Sequence, residues 1–408
     1  MTDSTGLSFL SYRRTHPDDA CILIALQHDL GIPTWQDLSD LGQGHTDAQL
    51  REVLADPKIA NAVAYLTPDV KDSATITRTE LPGILNRTAA KDGFFLLPVA
   101  AGGLGYDKIA ATLGTYIGTH DVGQWNVTKI DSDPLSMADG VAIATRVLKH
   151  RLIAIHATQP TGAPLKLSLH TRAAPAFVSG TALSLDWTHR FAGRLAADND
   201  WRTYLLPALA AVGAALPRFA PGRPLLWGGL CGLPAAVALG TTFLATHGID
   251  AAWQQPSPRR QAQDWSLAAT RAPSGCQIDL GPADTAADDV AVLVSIASNV
   301  EPAFAASRPD LPKFRAILQV KARAAFPHDL ETSGQAHDVA ALVVEGLRRA
   351  RDEFQARGTV HLFLAVPVGL AFLIGQSLNT AGPVQTYEHL PSDAVGRYYP
   401  AVLLHPGA

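Results

Sequence analysis

"LLWGGLCGLPAAVALGTTFLATHGI" runs from Leu225 to Ile249 and contains no Asp, Glu, Lys or Arg. A membrane-spanning helix needs about 20 consecutive apolar residues, so the run is long enough to cross a bilayer. However, Gly228, Gly229, Gly232 and Pro234 interrupt it near its start. Glycine and proline at these positions favour a short strand, a glycine turn and a buried helix over one continuous helix.

A second charge-free run, "TVHLFLAVPVGLAFLIGQSLNTAGPVQTY", extends from Thr359 to Tyr387. The two runs align at a constant offset: Leu225 with Val360, Leu239 with Ile374 and Gly240 with Gly375. Two hairpinned transmembrane helices are the alternative interpretation, but no Lys/Arg asymmetry marks the flanking loops. The sequence therefore favours two related β-α units within one soluble domain.

The length and composition of the chain narrow its class. A chain of 408 residues is expected to form two or three domains, and 47% hydrophobic with 17% charged residues is typical of a globular protein. A net charge of −4 argues against binding of long duplex nucleic acid. Cys21, Cys231 and Cys276 show no CxxC spacing, which predicts reduced thiols and no zinc site. The first residues resemble no secretion signal, so a cytoplasmic location is expected.

The first 110 residues alternate between short apolar segments and amphipathic segments. Strands are predicted at Leu7–Tyr12, Ile32–Trp35, Ile59–Thr67 and Gly93–Ala100. Such alternation predicts a parallel sheet covered by helices on both faces, with ligands at the carboxyl ends of the strands.

Capping residues mark the ends of the predicted helices. Asp18 or Asp19 is expected near the start of the first helix and Gly31 at its C′ position. Thr46 or Asp47 is expected to cap the next helix.

The domain boundary is predicted at a polar segment rich in proline and glycine. An apolar-patterned helix ends near residue 155, and residues 156–164, "HATQPTGAP", form the expected linker. The predicted domains are therefore 1–155 and 165–408. The second domain is expected to consist of two α/β halves, at about 165–275 and 276–408.

The first domain resembles a TIR domain. "FLSYRR", which begins at Phe9, matches the Phe-x-Ser-Tyr strand that opens TIR domains. After a helix, Gly31, Trp35 and Asp37 match the stretch G-x-x-x-W-x-D of this family. The resemblance implies a flavodoxin-like parallel-sheet fold.

The TIR resemblance also implies cleavage of NAD⁺, with Glu80 as the catalytic carboxylate. Nicotinamide leaves as a neutral molecule, so the chemical difficulty is the cationic ribosyl centre, which a carboxylate stabilises. The family spacing is Ser-x-Trp-Cys-x-x-Glu, whereas this sequence lacks the Trp and Cys and places Glu80 one residue further from Ser73. A solvated helix glutamate is the alternative interpretation of Glu80, and Glu52 is the rival carboxylate.

The predicted NAD⁺-binding residues cluster at the ends of the first two strands: Phe9, Ser11, Tyr12, Arg13, Trp35 and Asp37. A guanidinium can pair bidentately with pyrophosphate, so Arg13 is expected either to bind this group or to be a surface charge. The ring of Trp35 is expected either to stack on a base or to belong to the core. No cofactor is expected, since NAD⁺ is the substrate.

The loop after Asp37 lies where the BB loop of TIR domains lies, and its glycine-rich composition suggests ordering by a neighbouring subunit. The residues predicted to take part in this assembly are Leu38, Ser39, Asp40, Leu41 and Gly42. Head-to-tail assembly of this kind gives open filaments unless the rotation closes a ring.

The second domain resembles the SAVED domain, which fuses two CARF-like (Rossmann-like) units. "HLFLAVPVGLAFLIGQSLN", "VQTYEHL" and "YYPAVLL" carry the resemblance. It implies a sensor of cyclic oligonucleotides, with a cyclic trinucleotide expected, in the bacterial antiphage systems called CBASS. A TIR domain joined to SAVED implies that the ligand activates hydrolysis of NAD⁺ to nicotinamide and ADP-ribose or a cyclic form. NAD⁺ depletion would then cause abortive infection. A non-enzymatic TIR scaffold and a membrane effector are the rival functions.

Candidate cyclic-nucleotide contacts lie at strand ends and at the paired turns of the repeat, where aromatic rings, backbone amides and glycines suit such ligands. They are Trp187, Thr188, His189, Arg190, Gly229, Cys231, Ser298, Asn299, Pro367, Gly369 and Tyr387.

Overall fold

The computed structural model describes residues 1–35, 46–114, 116–117, 125–257, 261–323, 326–391 and 395–407. The chain forms two compact units, each assembled from several segments. Unit 1 comprises Met1–Ala163, Pro175–Asp186 and Ala214–Gly222, and unit 2 comprises Pro164–Ala174, Trp187–Gly213 and Arg223–Ala408.

Strands and helices alternate along most of the chain. The strands are β1 (Leu7–Ser11), β2 (Thr34–Trp35), β3 (Ile59–Leu66), β4 (Phe95–Ala100), β5 (Thr128–Lys129), β6 (Leu165–His170), β7 (Thr181–Asp186), β8 (Phe191–Ala192), β9 (Leu195–Ala196), β10 (Leu225–Gly228), β11 (Ala251–Gln255), β12 (Gln263–Trp265), β13 (Cys276–Pro282), β14 (Val290–Ser295), β15 (Ala316–Ala322), β16 (Val360–Ala365), β17 (Val384–Leu390) and β18 (Arg397–Leu404). The α-helices of seven or more residues are α1 (Pro17–Asp29), α2 (Thr46–Ala55), α3 (Leu81–Ala89), α4 (Tyr106–Leu113), α5 (Met137–Thr158), α6 (Leu206–Phe219), α7 (Leu233–Thr242), α8 (Glu301–Ser307), α9 (Ser333–Phe354) and α10 (Val368–Gln376).

The sheet of unit 1 is parallel and has the order β2-β1-β3-β4-β5. β3 is buried at all eight positions, as expected for a strand covered on both faces. Because β2 and β3 lie on opposite sides of β1, the strand order reverses between β1 and β3, where α/β sheets open a ligand crevice. Within the described residues, the second strand begins two residues later than predicted and comprises Thr34 and Trp35.

The helix ends of unit 1 follow the capping signals with small shifts. α1 begins at Pro17, so Asp18 and Asp19 lie in its first turn rather than capping it, where acidic side chains favour the helix dipole. Gly31 adopts a φ of +81° at the predicted C′ position. α2 begins at Thr46.

α5 extends three residues further than predicted, to Thr158, so the expected linker begins within a helix. Arg151 on this helix is fully buried, and burial lowers the pKa of its guanidinium to about 10, which leaves it charged at neutral pH. It donates hydrogen bonds to the carbonyl oxygens of Thr5, Gly6 and Ala182 at 2.5, 2.6 and 2.8 Å. One guanidinium therefore connects three segments of unit 1.

Unit 2 is built around two sheets. In the first, the strands of this unit follow the order β12-β11-β10-β6, with β10 parallel to both its neighbours. The second has the order β13-β15-β14-β16-β17-β18, and its edge strands β13 and β18 are antiparallel to their neighbours. β14 is buried at every position, which places it at the centre of the core.

Both charge-free runs fold as strand, turn and buried helix, which confirms the predicted repeat. The first forms β10 and α7, and the second forms β16 and α10. The helices α7 and α10 cross at Gly240 and Gly375: a Cβ at Gly240 would collide with the carbonyl of Phe372, and one at Gly375 with that of Val237. Across the described ranges, no helix is long and apolar enough to cross a membrane.

Candidate functional sites

Two predicted site residues of unit 1 meet at the reversal of strand order. Ser11 is the last residue of β1, and Glu80 lies between β3 and α3. The Ser11 hydroxyl donates a hydrogen bond of 2.6 Å to Oε2 of Glu80. Glu80 is 8% exposed, so the alternative of a solvated helix glutamate does not describe this conformation. A buried carboxylate at the carboxyl edge of a parallel sheet has the surroundings of a functional group.

A turn of π-helix, Ile76–Glu80, carries this carboxylate. A π turn holds one residue more than an α turn and often occurs at functional sites. The interval from Ser73 to Glu80 contains this segment. Thr77 supports it by donating its hydroxyl to the carbonyl of Ser73 at 2.7 Å.

Arg13 lies on the same edge, within a cluster centred on Asp69. Its Nε is 3.3 Å from Oδ2 of Asp69. The hydroxyl of Thr15 donates to the same oxygen, and the hydroxyl of Thr67 donates to Oδ1. Burial acts to raise the pKa of Asp69, but these hydrogen bonds and His16 outweigh it and hold the pKa well below its usual range. Arg13 is therefore paired with a carboxylate that stays ionised.

Phe9 and Trp35 belong to the core of unit 1. Their rings stack on each other with centroids 5.2 Å apart and an angle of 17° between planes. They are 1% and 7% exposed, packed with Leu50 and Leu54 of α2. In this conformation Trp35 is a core residue, the second of the two roles expected for it.

The remaining predicted residues of this site divide into three groups. Tyr12 is partly buried directly after β1. Asp37 and the assembly loop of Leu38, Ser39, Asp40, Leu41 and Gly42 lie outside the described residues. Glu52, the rival carboxylate, is exposed on α2.

A cavity of about 500 Å³ opens in unit 2 beside the carboxyl ends of β14 and β16. It includes three of the predicted contacts, Ser298, Asn299 and Tyr387. The first residue of α7, Leu233, also lines it, so the cavity lies where the helix of the first repeat meets strands of the second. Such strand ends are common ligand sites in α/β domains.

An ion-pair cluster lines this cavity, and the sequence prediction missed it. Oε1 of Glu388 is 2.8 Å from Nη2 of Arg172 and 3.8 Å from Nη1 of Arg194. Glu388 is 4% exposed. Burial raises the pKa of its carboxyl, although both arginines act to lower it. The ion pair therefore compensates only part of the desolvation of this carboxylate.

Tyr387 lines the cavity and is the first member of a buried series of polar contacts. Its ring stacks on Phe363 at 4.3 Å, and its hydroxyl is 2.8 Å from Nδ1 of His361. Nε2 of His361 is 3.2 Å from Oδ2 of Asp289. The hydroxyl of Tyr387 is therefore already engaged by His361 within the core.

A smaller cavity of about 290 Å³ lies beside the end of β11. Pro367, a predicted contact, lines it together with Gln255, Trp265 and His328. The amide of Gly369, also a predicted contact, donates 2.9 Å to Oε1 of Gln255. Ala297 lines both cavities, so the two adjoin.

Several predicted contacts serve the packing of unit 2 in this structure. Trp187 is fully buried against Trp201. Cys231 is 3% exposed, and burial raises the pKa of its thiol to about 12. Gly229 has a φ of +115°, and a Cβ there would collide with the backbone of Leu169.

The segment after Trp187 is a 3₁₀ turn that contains Thr188, His189 and Arg190 rather than the end of a strand. The guanidinium of Arg190 lies 3.7 Å over the ring of Tyr204, and His189 is exposed.

Unit 2 thus has the features of a ligand-binding α/β domain, with an internal duplication and a charged cavity at its strand ends. Residues 210–404 match the family described as "SAVED: SMODS-associated and fused to various effectors sensor domain". This region of the chain is a SAVED domain.

Two solved structures to which the chain is similar come from Acinetobacter baumannii and Moraxella osloensis. The Acinetobacter baumannii Cap4 SAVED/CARF-domain containing receptor with the cyclic trinucleotide 2'3'3'-cAAA is 14% identical, with a TM-score of 0.49 over 97% of this chain and 99% of that one. The receptor from Moraxella osloensis is 12% identical, with a TM-score of 0.45 over 97% of this chain and 100% of that one. No curated protein matches the sequence.

Proposed function

We propose that unit 2 senses a cyclic oligonucleotide in CBASS antiphage defence. The SAVED match over residues 210–404 supports the ligand class. The observation that carries the proposal is the cavity of about 500 Å³ with Arg172 and Arg194 in its lining. Its volume lies within the range of about 300–1,000 Å³ typical of small-molecule sites, and guanidinium groups match phosphodiester oxygens.

Calorimetric titration with cyclic di-, tri- and tetranucleotides tests this proposal. We expect binding of a trinucleotide, and the probes include 2'3'3'-cAAA and 3'3'3'-cAAA. Failure of every member of the panel to bind would contradict the ligand class.

We further propose that unit 1 is a TIR domain that hydrolyses NAD⁺ when the ligand binds. The strand order β2-β1-β3-β4-β5 is the flavodoxin-like order, and it supports the TIR resemblance. The contact between Ser11 and Glu80 carries the catalytic proposal. The Ser11 hydroxyl orients the carboxylate, which stabilises the ribosyl cation as nicotinamide leaves with the electrons of the N-glycosidic bond. Water then bonds to the ribosyl carbon and loses a proton, which yields ADP-ribose.

Replacement of the carboxylate tests the catalytic role. We expect Glu80→Gln to lower ligand-dependent release of nicotinamide by about two orders of magnitude, the scale for loss of one electrostatic stabiliser. Cyclic nucleotide binding should persist. The matched control is Glu52→Gln, which removes the same charge from the exposed face of α2 and should retain activity. The opposite ranking of the two variants would move the catalytic role to Glu52.

Activation by assembly is the third part of the proposal. A site completed by a neighbouring subunit would exclude water from the ribosyl cation only in the assembled form. Specific activity at saturating ligand should then rise with protein concentration, and light scattering should increase on ligand addition. Charge reversal at Asp40 should abolish both without weakening ligand binding. Ligand-bound protein that sediments as a monomer yet cleaves NAD⁺ at full rate would refute this part.

Burial of the Phe9 and Trp35 rings favours a second candidate for unit 1, a non-enzymatic scaffold. Neither ring presents a face for a base in this conformation. Ligand-induced assembly without any release of nicotinamide would select the scaffold over the hydrolase.

A further inference from the structure

The carboxylate of Glu388 occupies both arginines of the larger cavity. It lies 2.8 Å from Arg172 and 3.8 Å from Arg194, measured from Oε1 to the guanidinium nitrogens. The side chains of the arginines are 28% and 42% exposed, whereas that of Glu388 is 4% exposed. The cations are therefore accessible from the cavity, and the anion that pairs with them lies behind them.

The surroundings of Glu388 are costly for a charge. Its Oε2 faces the backbone at Gly232, where an added Cβ would lie 3.1 Å away. Cys231 and Tyr398 are close enough to interact with it electrostatically. A carboxylate buried among such groups loses most of its hydration, and two partly exposed arginines restore only part of that loss.

A phosphodiester is a stronger partner for the same arginines. It brings two non-bridging oxygens that share one negative charge on the accessible side, and a guanidinium can donate to both oxygens at once. Among the described residues that line the cavity, the formal charges are two arginines and one glutamate. The cluster therefore retains one positive charge with which to attract an anion.

We propose that Glu388 is an internal competitor, which a phosphate of the incoming nucleotide displaces from Arg172 and Arg194. This inference rests on the proposed ligand class and adds a mechanism to it. Glu388 sets the ligand concentration at which the sensor responds, because binding must first break the internal ion pair. It also ties occupancy of the cavity to a change at β17, the strand that carries the glutamate.

The test compares the affinity of the full-length protein and its variants for 3'3'3'-cAAA and 2'3'3'-cAAA by calorimetric titration. Glu388→Gln has nearly the same shape but no charge, and it should tighten binding about tenfold or more, the scale of one charge-assisted hydrogen bond. Arg172→Ala should weaken binding by a similar factor. In the Arg172→Ala background, Glu388→Gln should tighten binding by a smaller factor than it does in the native protein, since only Arg194 then remains for the glutamate to occupy.

Two further variants control for charge and folding. Glu345→Gln removes one negative charge from the exposed face of α9 and should leave the affinity unchanged. Glu388→Asp keeps the charge but withdraws it by one methylene, so it should tighten binding by a smaller factor than Glu388→Gln. It also provides the readout if the glutamine variant does not fold.

The outcomes separate the two proposals. Equal or weaker binding by folded Glu388→Gln, while the native protein binds a trinucleotide, would overturn the competitor role and leave the ligand class standing. If neither the native protein nor the variants bind either trinucleotide, the proposed ligand itself is wrong and the competitor role fails with it.

Discussion

The two cavities of unit 2 occupy corresponding places in its internal repeat but differ in chemistry. In each, a side chain from a strand of one half faces the start of the helix of the other half. Gln255 of β11 accepts a hydrogen bond from the amide of Gly369 in α10, and Glu388 of β17 faces Gly232 just before α7. One position carries a neutral amide and the other a charge with two arginines. Both halves of the repeat thus keep the contact between a strand and the start of a helix, and the side chains at that contact determine the chemistry of each cavity.

The largest expected effect tests whether the two halves depend equally on their helix crossing. Gly240→Val and Gly375→Val each place carbon atoms where the opposing backbone lies. We expect each to lower the free energy of unfolding of unit 2 by about 3 kcal/mol, the upper range for overpacking. Thermal and urea unfolding provide the measurement.

A matched control for this pair is Gly281→Ala on β13, where an added Cβ meets nothing within 4 Å. It should change stability by less than about 1 kcal/mol. Strong destabilisation by one of the paired glycines and little by the other would break the equivalence of the two halves.

The prediction of intermediate size concerns the pH dependence of stability, which should differ between the two halves. His361 lies in the second half, where the repeat places Leu226 in the first. Burial lowers the pKa of His361, although Asp289 acts to raise it. The unfolded chain therefore binds a proton more readily, and unfolding free energy should fall as pH drops below about 6.5, by at most about 1.4 kcal/mol per pH unit.

Replacement of this histidine should remove its share of the pH dependence. Denaturant unfolding between pH 7 and pH 5 should give a flatter profile for His361→Gln than for the native protein. His405→Gln, which changes an exposed histidine, should keep the native slope. Identical slopes in all three proteins would assign the pH dependence to other groups.

The smallest expected effect concerns the smaller cavity. Gln255→Glu keeps the acceptor for the Gly369 amide and adds a negative charge near the start of α10. It also loses the bond from Nε2 to the carbonyl of Pro256. The gain at a helix N-terminus and this loss are each about 1 kcal/mol or less, so the melting temperature should barely change. A loss of several degrees would show that the smaller cavity, whose lining includes Asp329 and Glu331, rejects a further carboxylate where the larger cavity accepts one.

The sequence patterns predicted the secondary structure of both units more completely than they predicted the residues of the sites. The charge-free runs predicted their strand, turn and helix correctly because glycine and proline interrupt the apolar sequence where the chain turns. The motif order around Ser11 and Glu80 predicted two residues that meet across 69 positions of sequence.

The errors concern the direction of side chains and contacts distant in sequence. Trp187 and Cys231 were predicted as contacts from their positions at a strand end and a turn, yet both point into the core. Arg172 follows β6, and a basic residue after a strand is a sequence signal that could have identified it as a candidate site residue. The convergence of Arg194 with Glu388 has no local signal, because 194 residues separate the two positions.

The hydrogen bonds of Arg151 determine which fragments of the protein can be expressed separately. A fragment that ends at residue 163 keeps the carbonyls of Thr5 and Gly6 but discards Ala182, the acceptor of Nε. It also discards Ser184, whose amide donates 2.8 Å to the carbonyl of Gly31. The guanidinium of Arg151, charged at neutral pH, would then have no acceptor for its Nε donor, and the carbonyl of Gly31 after α1 would lose its partner. Expression of unit 1 by itself therefore requires a gene that joins at least residues 175–186 to the first segment, because a stop codon directly after α5 removes β7 and exposes the apolar surface that this strand covers.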